Sequence, residues 1–544
     1  MKVRSQSQPQ TVPALQALLV EQSLQHATLA QQYAQVTLEN QRLTARAAHL
    51  QEQLNLALAR RYAARSEVSP DQIRLFDEAE ADTEGSAANV RPEAATIEAP
   101  GTRVAEHTRQ RPGRRPLPEA LPRVVVVHTL PESERICPHD GRLLTEIGVV
   151  TSEQLDLIPA QIRVLRHERT QYACACGQCI RTAPLPAQPI PKSMASPGLL
   201  AHIAVSKYQD ALPLYRQEQI LTRIGVDLPR ATLASWMIQA GALIQPLINL
   251  LRDRLLAYDV IQMDETPVQV LKEPGKTAQS QSYLWVQRGG PPGQPVVLFD
   301  YDPGRGAQVP IRLLEGFKGF LQTDGYDGYN AVVRAQNLIH AGCLAHVRRK
   351  FDEVLKAQGK HRRPGLAEEG LQQIQKLYAV EKAVRTATPE DRHAYRAEHA
   401  RPLWTALRSW LDTARPQVPP QMALGKALAY LHNAWDTLVV YLEDGRLEID
   451  NNRCENAIRP FTLGRKNWLF SDSVRGVQAS ANLYSLIETA KACGLEPYAY
   501  LRRVFTELPQ AQTVEALEAL LPGPLPVQGD LVLPALMPRE SASL

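Results

Sequence analysis

The sequence predicts a multidomain α+β protein, and three observations support that fold class. The chain of 544 residues is too long for one hydrophobic core, and a hydrophobic content of 44% is enough to form several. A stretch near the N-terminus is rich in Gln, Ala and Leu and lacks Gly and Pro. After residue 259 the pattern changes from helical to extended, and later it returns to helical.

Residues 1–69 are predicted to form a coiled-coil helix. Two rows of residues, offset by four positions, follow a seven-residue repeat, which is the spacing of a coiled-coil seam. These rows are Leu15, Leu29, Val36, Leu43 and Leu50, and Leu19, Tyr33, Asn40, Ala47 and Leu54. Asn40 would fix the register, whereas Gln22 and His26 weaken the first heptads. A single helix packed on the protein's own body is the alternative.

Residues 70–120 are predicted to be a linker. An acidic run from Asp77 to Glu84 precedes Gly, Ser, Ala and Pro residues, and an arginine-rich segment around Pro112 follows. Such a stretch cannot bury enough apolar surface to fold alone. Its arginines would either lie along phosphates or in a minor groove, or remain solvated as a basic tether.

Residues 121–195 are predicted to form a small β module that binds zinc. Two knuckles with short cysteine spacings flank a β-rich stretch that includes Ile162, Val164 and Leu165. Each tight turn would bring two ligands to one tetrahedral Zn2+ ion. The candidate ligands are Cys137, His139, Asp140, Cys174, Cys176 and Cys179. A metal-free hairpin is the alternative, and the odd total of seven cysteines disfavours a disulfide framework.

Residues 196–250 are predicted to form a helix-turn-helix. Helical patterns over 214–224 and 232–244 are joined by a glycine-containing turn. In this motif the first turn of the second helix enters a major groove, while Leu233 and Trp236 would pack inward. The side chains that would face DNA are Arg230, Thr232 and Ser235. A plain helical bundle has the same pattern.

Residues 251–488 are predicted to form a ribonuclease-H-like domain, because three strands, a helix and a fourth strand ending on Asp324 are the opening of that fold. These elements cover 260–270, 282–288, 295–301, 307–314 and 320–323. Residues 350–449 are predicted to be a helical insertion. Its apolar anchors would be Leu377, Trp404, Leu407, Trp410, Leu428 and Leu431. A C-terminal helical segment at 489–525 and a tail at 526–544 follow.

Three acidic residues, Asp264, Asp324 and Glu455, lie in short segments of unusual composition. Carboxylates from distant parts of a chain are hard ligands suited to a pair of Mg2+ (or Mn2+) ions, which activate the attacking oxygen and stabilise the leaving one in phosphodiester cleavage. Glu265 and Asp327 are rivals for the first two positions. Taken singly, each acidic residue also has a structural explanation as a turn residue or a surface charge. Together they predict catalysis.

Two basic clusters accompany these acidic residues. They contain His346, Arg348, Arg349 and Lys350, and Arg459, Arg465 and Lys466. Such cations would hold phosphates and neutralise developing charge, unless they are only solvated. Cys343 and His346 are interpreted as core or phosphate-facing residues rather than metal ligands, because no partner pair lies within sequence reach.

Four segments carry a resemblance to a known family. They are Met-Asp-Glu-Thr-Pro-Val at 263–268, Cys-Leu-Ala-His-Val-Arg-Arg-Lys-Phe at 343–351, Glu-Asn-Ala-Ile-Arg-Pro-Phe-Thr-Leu-Gly-Arg-Lys-Asn-Trp-Leu-Phe at 455–470, and Gly-Leu-Glu-Pro-Tyr-Ala-Tyr-Leu-Arg at 494–502. With these motifs in this order, the chain resembles the transposases of the insertion sequence 66 family, up to about residue 523.

The resemblance implies an Asp-Asp-Glu transposase in which Asp264, Asp324 and Glu455 hold two Mg2+ ions. Water would cleave DNA at the element's end, and the freed 3′-hydroxyl would attack target DNA. Implied partners are double-stranded DNA, a second copy of the chain and small accessory proteins. The family's first knuckle is Cys-x-x-Cys, and Asp140 stands where its second cysteine would be. Either His139 or Asp140 completes the zinc site, or the metal is lost.

A function of a different class is also open: a catalytically inactive DNA-binding regulator or scaffold. The net charge of +4 places any DNA-binding surface in local basic clusters. The first residues are polar and no apolar run is long enough to span a bilayer, so we expect a cytoplasmic protein without a membrane partner.

Overall fold

The computed structural model describes residues 12–62, 162–173, 180–357 and 365–523. The chain divides into two compact units, one formed by residues 1–78 and 186–544 and the other by residues 79–185. The larger unit combines helices with a mixed sheet, which confirms the predicted α+β class.

In the described part of the smaller unit, β1 (Gln171–Ala173) and β2 (Ile180–Thr182) form an antiparallel hairpin. The Arg169 side chain donates to the carbonyl of Ala183 at 2.6 Å and closes the hairpin's open end.

The predicted β-rich stretch and the candidate zinc ligands belong to this unit. The residues that we expected in its β-rich stretch are exposed and lie outside regular secondary structure, so that prediction is wrong for Ile162, Val164 and Leu165. The candidate zinc ligands lie outside the described residues; they are Cys137, His139, Asp140, Cys174, Cys176 and Cys179.

A six-stranded mixed sheet is the centre of the larger unit. Its strands are β3 (Val260–Lys272), β4 (Gln281–Gly289), β5 (Val296–Asp302), β6 (Phe320–Gln322), β7 (Ile339–Ala341) and β8 (Ser471–Ser473). The order is β5-β4-β3-β6-β7, antiparallel from β5 to β3 and parallel from β3 to β7, and β8 pairs with β3 from Val270 onward. Pro267, which has no N–H to donate, lies on the part of β3 that β6 does not reach.

The described helices up to residue 357 are α1 (Val12–Tyr62), α2 (Pro197–Tyr208), α3 (Leu214–Arg223), α4 (Arg230–Leu243), α5 (Gln245–Leu256), α6 (Gln308–Leu313), α7 (Tyr329–Gln336) and α8 (Leu344–Ala357). Those that follow are α9 (Leu366–Ala383), α10 (Pro389–Ala414), α11 (Ala423–Asn433), α12 (Trp435–Leu438), α13 (Asn452–Trp468), α14 (Val474–Ala492), α15 (Pro497–Glu507) and α16 (Val514–Glu518). The four strands and the helix expected between 260 and 323 are confirmed. We did not predict β7 and β8, each of three residues.

Helix α14 covers the β5 edge of the sheet. The Ser485 hydroxyl accepts from the Phe299 N–H at 2.7 Å, and the Thr489 hydroxyl accepts from the Val297 N–H at 3.0 Å. The Thr489 hydroxyl also donates to the carbonyl of Val297 at 2.9 Å. The two hydroxyls therefore satisfy outward-facing backbone groups of an edge strand.

Helices α3 and α4 are joined by a turn at Gly225, whose φ of 83° favours glycine. Leu233 and Trp236 are buried as predicted, while Arg230 and Ser235 are exposed. Helix α4 packs against α14 at Gly241, where a Cβ atom would lie 2.6 Å from the Cα of Ala479. A side chain at that position would push the two helices apart.

The predicted insertion has a hydrophobic core of its own, separate from the core around the sheet. Five of the six expected anchors are buried, and the sixth, Trp410, is half-buried. A charged side chain is also fully buried here: Arg396 of α10 pairs with Glu381 of α9 at 2.6 Å. It donates to the carbonyls of Tyr441, Asp444 and Leu447 as well.

The N-terminal helix α1 presents most of the predicted seam to solvent. Leu19, Leu29, Tyr33, Val36, Leu43, Leu50 and Leu54 are exposed. One contact with the protein's own body is a hydrogen bond from the backbone N–H of Ala423 to the carboxylate of Glu52, at 3.0 Å.

No single helix in the described ranges has the length and apolar composition to cross a membrane. Helices α4 and α5 meet that test only as a pair bent by 47°. Apolar side chains of both helices pack in the core around the sheet.

Candidate active site

Asp264 and Asp324 come from neighbouring parallel strands. Asp264 lies on β3, and Asp324 follows the end of β6 by two residues. The register pairs Gln262 with Gln322, and continuing that offset by two residues places Asp324 beside Asp264. Both carboxylates therefore lie where β6 ends, at the C-terminal end of that strand.

Glu455 approaches the same place from the first turn of α13. The residues before α13 are fastened to β3, since the Asn451 side-chain amide donates to the carbonyl of Met263 at 3.1 Å. The Gln262 amide likewise donates to the carbonyl of Asp450 at 3.3 Å. Because Asn451 is fully buried, this junction belongs to the core and fixes the start of α13 next to β3.

The electrostatics of Asp264 reflect these neighbours. Burial raises the pKa of its carboxyl group well above the usual range, and the charges of Glu265, Glu455 and Asp324 raise it further. A hydrogen bond from the backbone N–H of Glu265 at 2.9 Å opposes the shift. Negative charges gathered around the buried Asp264 carboxyl group favour a bound cation, and oxygen donors of this kind suit a hard divalent ion.

The turn after Asp324 is held from two sides. Its carboxylate accepts from the backbone N–H of Tyr326 at 2.9 Å. Gly325 lies under Tyr430 of α11, and a Cβ atom at this position would be 2.5 Å from the tyrosine hydroxyl oxygen. A side chain at position 325 would therefore displace the Tyr430 hydroxyl group of the helical insertion.

The rival acidic residues have other surroundings. Glu265 accepts from Arg305 at 2.7 Å and from the hydroxyl of Tyr329. Burial raises the pKa of Glu265, and these two bonds lower it. Asp327 is exposed, with Asn330 at 3.4 Å. Glu265 is thus paired with an arginine, whereas the charges of Glu265, Glu455 and Asp324 all raise the pKa of Asp264.

Two of the predicted cationic residues contact Glu455. Arg349 lies 3.4 Å from its Oε2, and the Nδ1 atom of His346 lies 3.7 Å from its Oε1. Burial lowers the pKa of His346, although the charge of Glu455 opposes that shift. Both residues belong to α8, which therefore faces α13 across the site.

The other predicted cations have different surroundings. Arg348 stacks over the ring of Tyr378 at 5.6 Å. Arg465 donates to the Thr266 hydroxyl at 3.2 Å and to the carbonyl of Pro267, so it braces the open part of β3. Exposed side chains are found at Lys350 and Lys466, and a half-buried one at Arg459. Of the predicted helix-turn-helix contacts, Arg230 and Ser235 are exposed and Thr232 is half-buried.

Sequence reasoning missed two residues of this region, Asp450 and Arg305, and did not foresee the neighbours of Cys343. Asp450, whose pKa burial raises to about 6, accepts from the Tyr378 hydroxyl at 2.9 Å and from the Asn452 N–H at 3.1 Å. Arg305 also stacks on Tyr326 at 3.9 Å. Cys343, buried before α8, comes close to His346 and Glu455. The Asp-Asn-Asn run before Glu455 was the sequence signal for the first of these.

Comparison with protein families gives four matches. Residues 192–479 match the model described as Transposase IS66 family, and residues 485–522 match the IS66 C-terminal element. Residues 49–126 match the model described as Transposase C of IS166 homeodomain. Residues 134–177 match the zinc-finger binding domain of transposase IS66.

Three similar proteins come from Sinorhizobium fredii (strain NBRC 101917 / NGR234). Uncharacterized protein y4jD is 37% identical over 425 residues, which cover 75% of this chain and 81% of that protein. Uncharacterized protein y4qI is 34% identical over 388 residues, or 69% and 71% of the two chains. Uncharacterized protein y4hP is 29% identical over 476 residues, or 84% and 86%.

Proposed function

Because the chain belongs to the IS66 family of transposases, we propose that it cleaves the ends of an insertion sequence and joins the freed 3′-hydroxyl to target DNA. The observation that supports this reaction most directly is the approach of Asp264, Asp324 and Glu455 to one another at one edge of the sheet.

These three carboxylates fit a divalent metal site. Two Mg2+ or Mn2+ ions would supply activation of the attacking oxygen and stabilisation of the leaving oxygen. Asp264 and Asp324 would hold the ions from the sheet, and Glu455 would complete the site from α13. Arg349, which lies 3.4 Å from Glu455, would orient that carboxylate.

We further propose a ribonuclease-H-like architecture for residues 251–488, with the insertion at about 350–449. Three antiparallel strands followed by two parallel ones support it. The first strand of the set carries Asp264, and the fourth leads to Asp324.

DNA would be bound by two groups of residues. Exposed positions at the start of α4 support a helix-turn-helix role for Arg230, Thr232 and Ser235. Phosphates near the carboxylates would be held by Arg348, Arg349, Lys350, Arg459 and Lys466. Arg465 also belongs to this second group, and its bond to the carbonyl of Pro267 braces β3.

The remaining parts would serve assembly. The zinc-finger match at 134–177 supports a structural Zn2+ ion. The exposed seam of α1 supports pairing of two copies, each bound to one end of the element. We place this complex in the cytoplasm, with accessory transposition proteins as further partners.

A cleavage assay on DNA carrying the element's ends tests the reaction. Wild type should cleave only with Mg2+ or Mn2+. Asp324→Asn removes a charged ligand with little change in volume, so cleavage should fall by orders of magnitude while end binding persists. The matched control is Asp327→Asn, three residues away and exposed, which should cleave like wild type.

Two results would contradict these proposals. Undiminished cleavage by Asp324→Asn would remove Asp324 from the site. Tight end binding by wild type with no metal-dependent cleavage would favour the alternative function, an inactive DNA-binding regulator or scaffold.

A further inference from the structure

A cluster with different donor atoms lies beside the three carboxylates. Cys343 immediately precedes α8, His346 lies in its first turn, and Glu455 lies in the first turn of α13. One ligand atom from each of the three side chains lies within 4.8 Å of the others. The sequence could not show this group, because its third member is on another helix.

Two atoms of the cluster face each other without a hydrogen bond. His346 Nδ1 and Glu455 Oε1 are both buried, and within the described part of the chain neither has a hydrogen-bond partner. Their separation of 3.7 Å is too long for a hydrogen bond. It does match the spacing of two ligands on one tetrahedral ion, roughly 3.3 to 3.8 Å for bonds of ~2.0 to 2.3 Å.

The surroundings leave these atoms available to an ion. Arg349 approaches the other carboxylate oxygen, Oε2, at 3.4 Å. The Sγ atom of Cys343 accepts from the backbone N–H of Asn451 at 3.2 Å. Glu455 and Cys343 are thus each held by a neighbouring donor.

We propose that Cys343, His346 and Glu455 form a site for a Zn2+-class transition-metal ion. Sulfur and imidazole nitrogen select such ions over Mg2+, which prefers oxygen alone. Three protein ligands leave a fourth position open to water or another ligand. The site is separate from the cysteine knuckles of residues 134–177 and shares Glu455 with the proposed Mg2+ site.

Zinc content of the full-length chain tests this site. Wild type and variants are loaded with excess Zn2+, dialysed against zinc-free buffer and analysed by atomic emission. Cys343→Ser and His346→Ala should each hold one Zn2+ per chain fewer than wild type. The difference is the readout, because the knuckles can hold zinc of their own. Cys493→Ser, which changes a half-buried thiol bonded to the carbonyl of Pro295, should match wild type.

Wild-type zinc content in either ligand variant would overturn the proposal. Circular dichroism confirms that each variant is folded, and if the buried Cys343→Ser does not fold, the half-buried His346→Ala decides alone. The readout needs no DNA cleavage. If wild type does not cleave DNA but both variants hold less zinc than wild type, the proposed reaction is refuted and the metal site is supported.

Discussion

Replacing Arg396 with Met should destabilise the helical insertion strongly. The guanidinium is 0% exposed, and its partner Glu381 is only 13% exposed. Two hydrogen bonds join them, at 2.9 and 2.6 Å, and three more run to the carbonyls of Tyr441, Asp444 and Leu447. Met preserves most of the apolar stem but leaves a buried carboxylate and three carbonyls unpaired.

Removing one partner of a buried ion pair costs about 3 to 5 kcal/mol, so the free energy of unfolding of the insertion should fall by that amount. Urea unfolding followed by tryptophan fluorescence measures it, because Trp404, Trp410 and Trp435 all lie in the insertion. DNA cleavage should fall as well, since the anchored segment leads directly to the start of α13.

Arg401→Gln is the matched control on the same helix. Arg401 and Glu443 are 3.0 Å apart and are 47% and 62% exposed, so their pair is worth at most ~1 kcal/mol. A loss of less than about 1 kcal/mol in Arg396→Met, or a loss equal to that of the control, would refute the assigned role of the buried arginine.

Three further predictions concern zinc, assembly and pH. Cys174→Ser should lose about one Zn2+ per chain relative to wild type, and equal contents would mean that the knuckle site is lost in this chain. Replacing Leu29, Val36 and Leu43 with Glu should destabilise a paired seam by several kcal/mol, so light scattering should find monomers. A wild-type chain that is monomeric both free and on end DNA would exclude pairing through the seam. In metal-free protein the folded chain holds the proton of Asp264 more tightly than the unfolded chain, because the pKa of this group is raised on folding. The free energy of unfolding should therefore fall as pH rises above about 3.9, the pKa of Asp in the unfolded chain, and Asp264→Asn should flatten that fall in urea titrations. Identical pH profiles for the two proteins would contradict this prediction.

How far the sequence predicts this structure depends on how local each signal is. The strand that carries Asp264 and the helical pair around Leu233 were predictable, because alternation and helical periodicity are local patterns. The burial of Arg396 was not predictable, because its hydrogen-bond acceptors come from α9 and from the residues around Tyr441.

The candidate site shows the same division. The family motifs point to Glu455 from the sequence alone, although periodicity by itself would leave it as a surface charge. The proximity of Glu455 to Cys343 depends on how α8 packs against α13, and a local sequence pattern does not predict that packing. Arg465 is a second example: its basic segment predicts a DNA contact, whereas its bond to the strand carbonyl of Pro267 follows from no local pattern.

The hydroxyls of Ser485 and Thr489 have a consequence for association between copies. An unpaired edge strand is a template on which another chain can add a strand, and β5 would otherwise offer such a template. Since these side chains already occupy Val297 and Phe299, two transposases that meet on DNA cannot join by extending the sheet at this edge. Helix α14 would still cover this edge without the two hydroxyls, but the N–H groups of Val297 and Phe299 would then be buried without their partners.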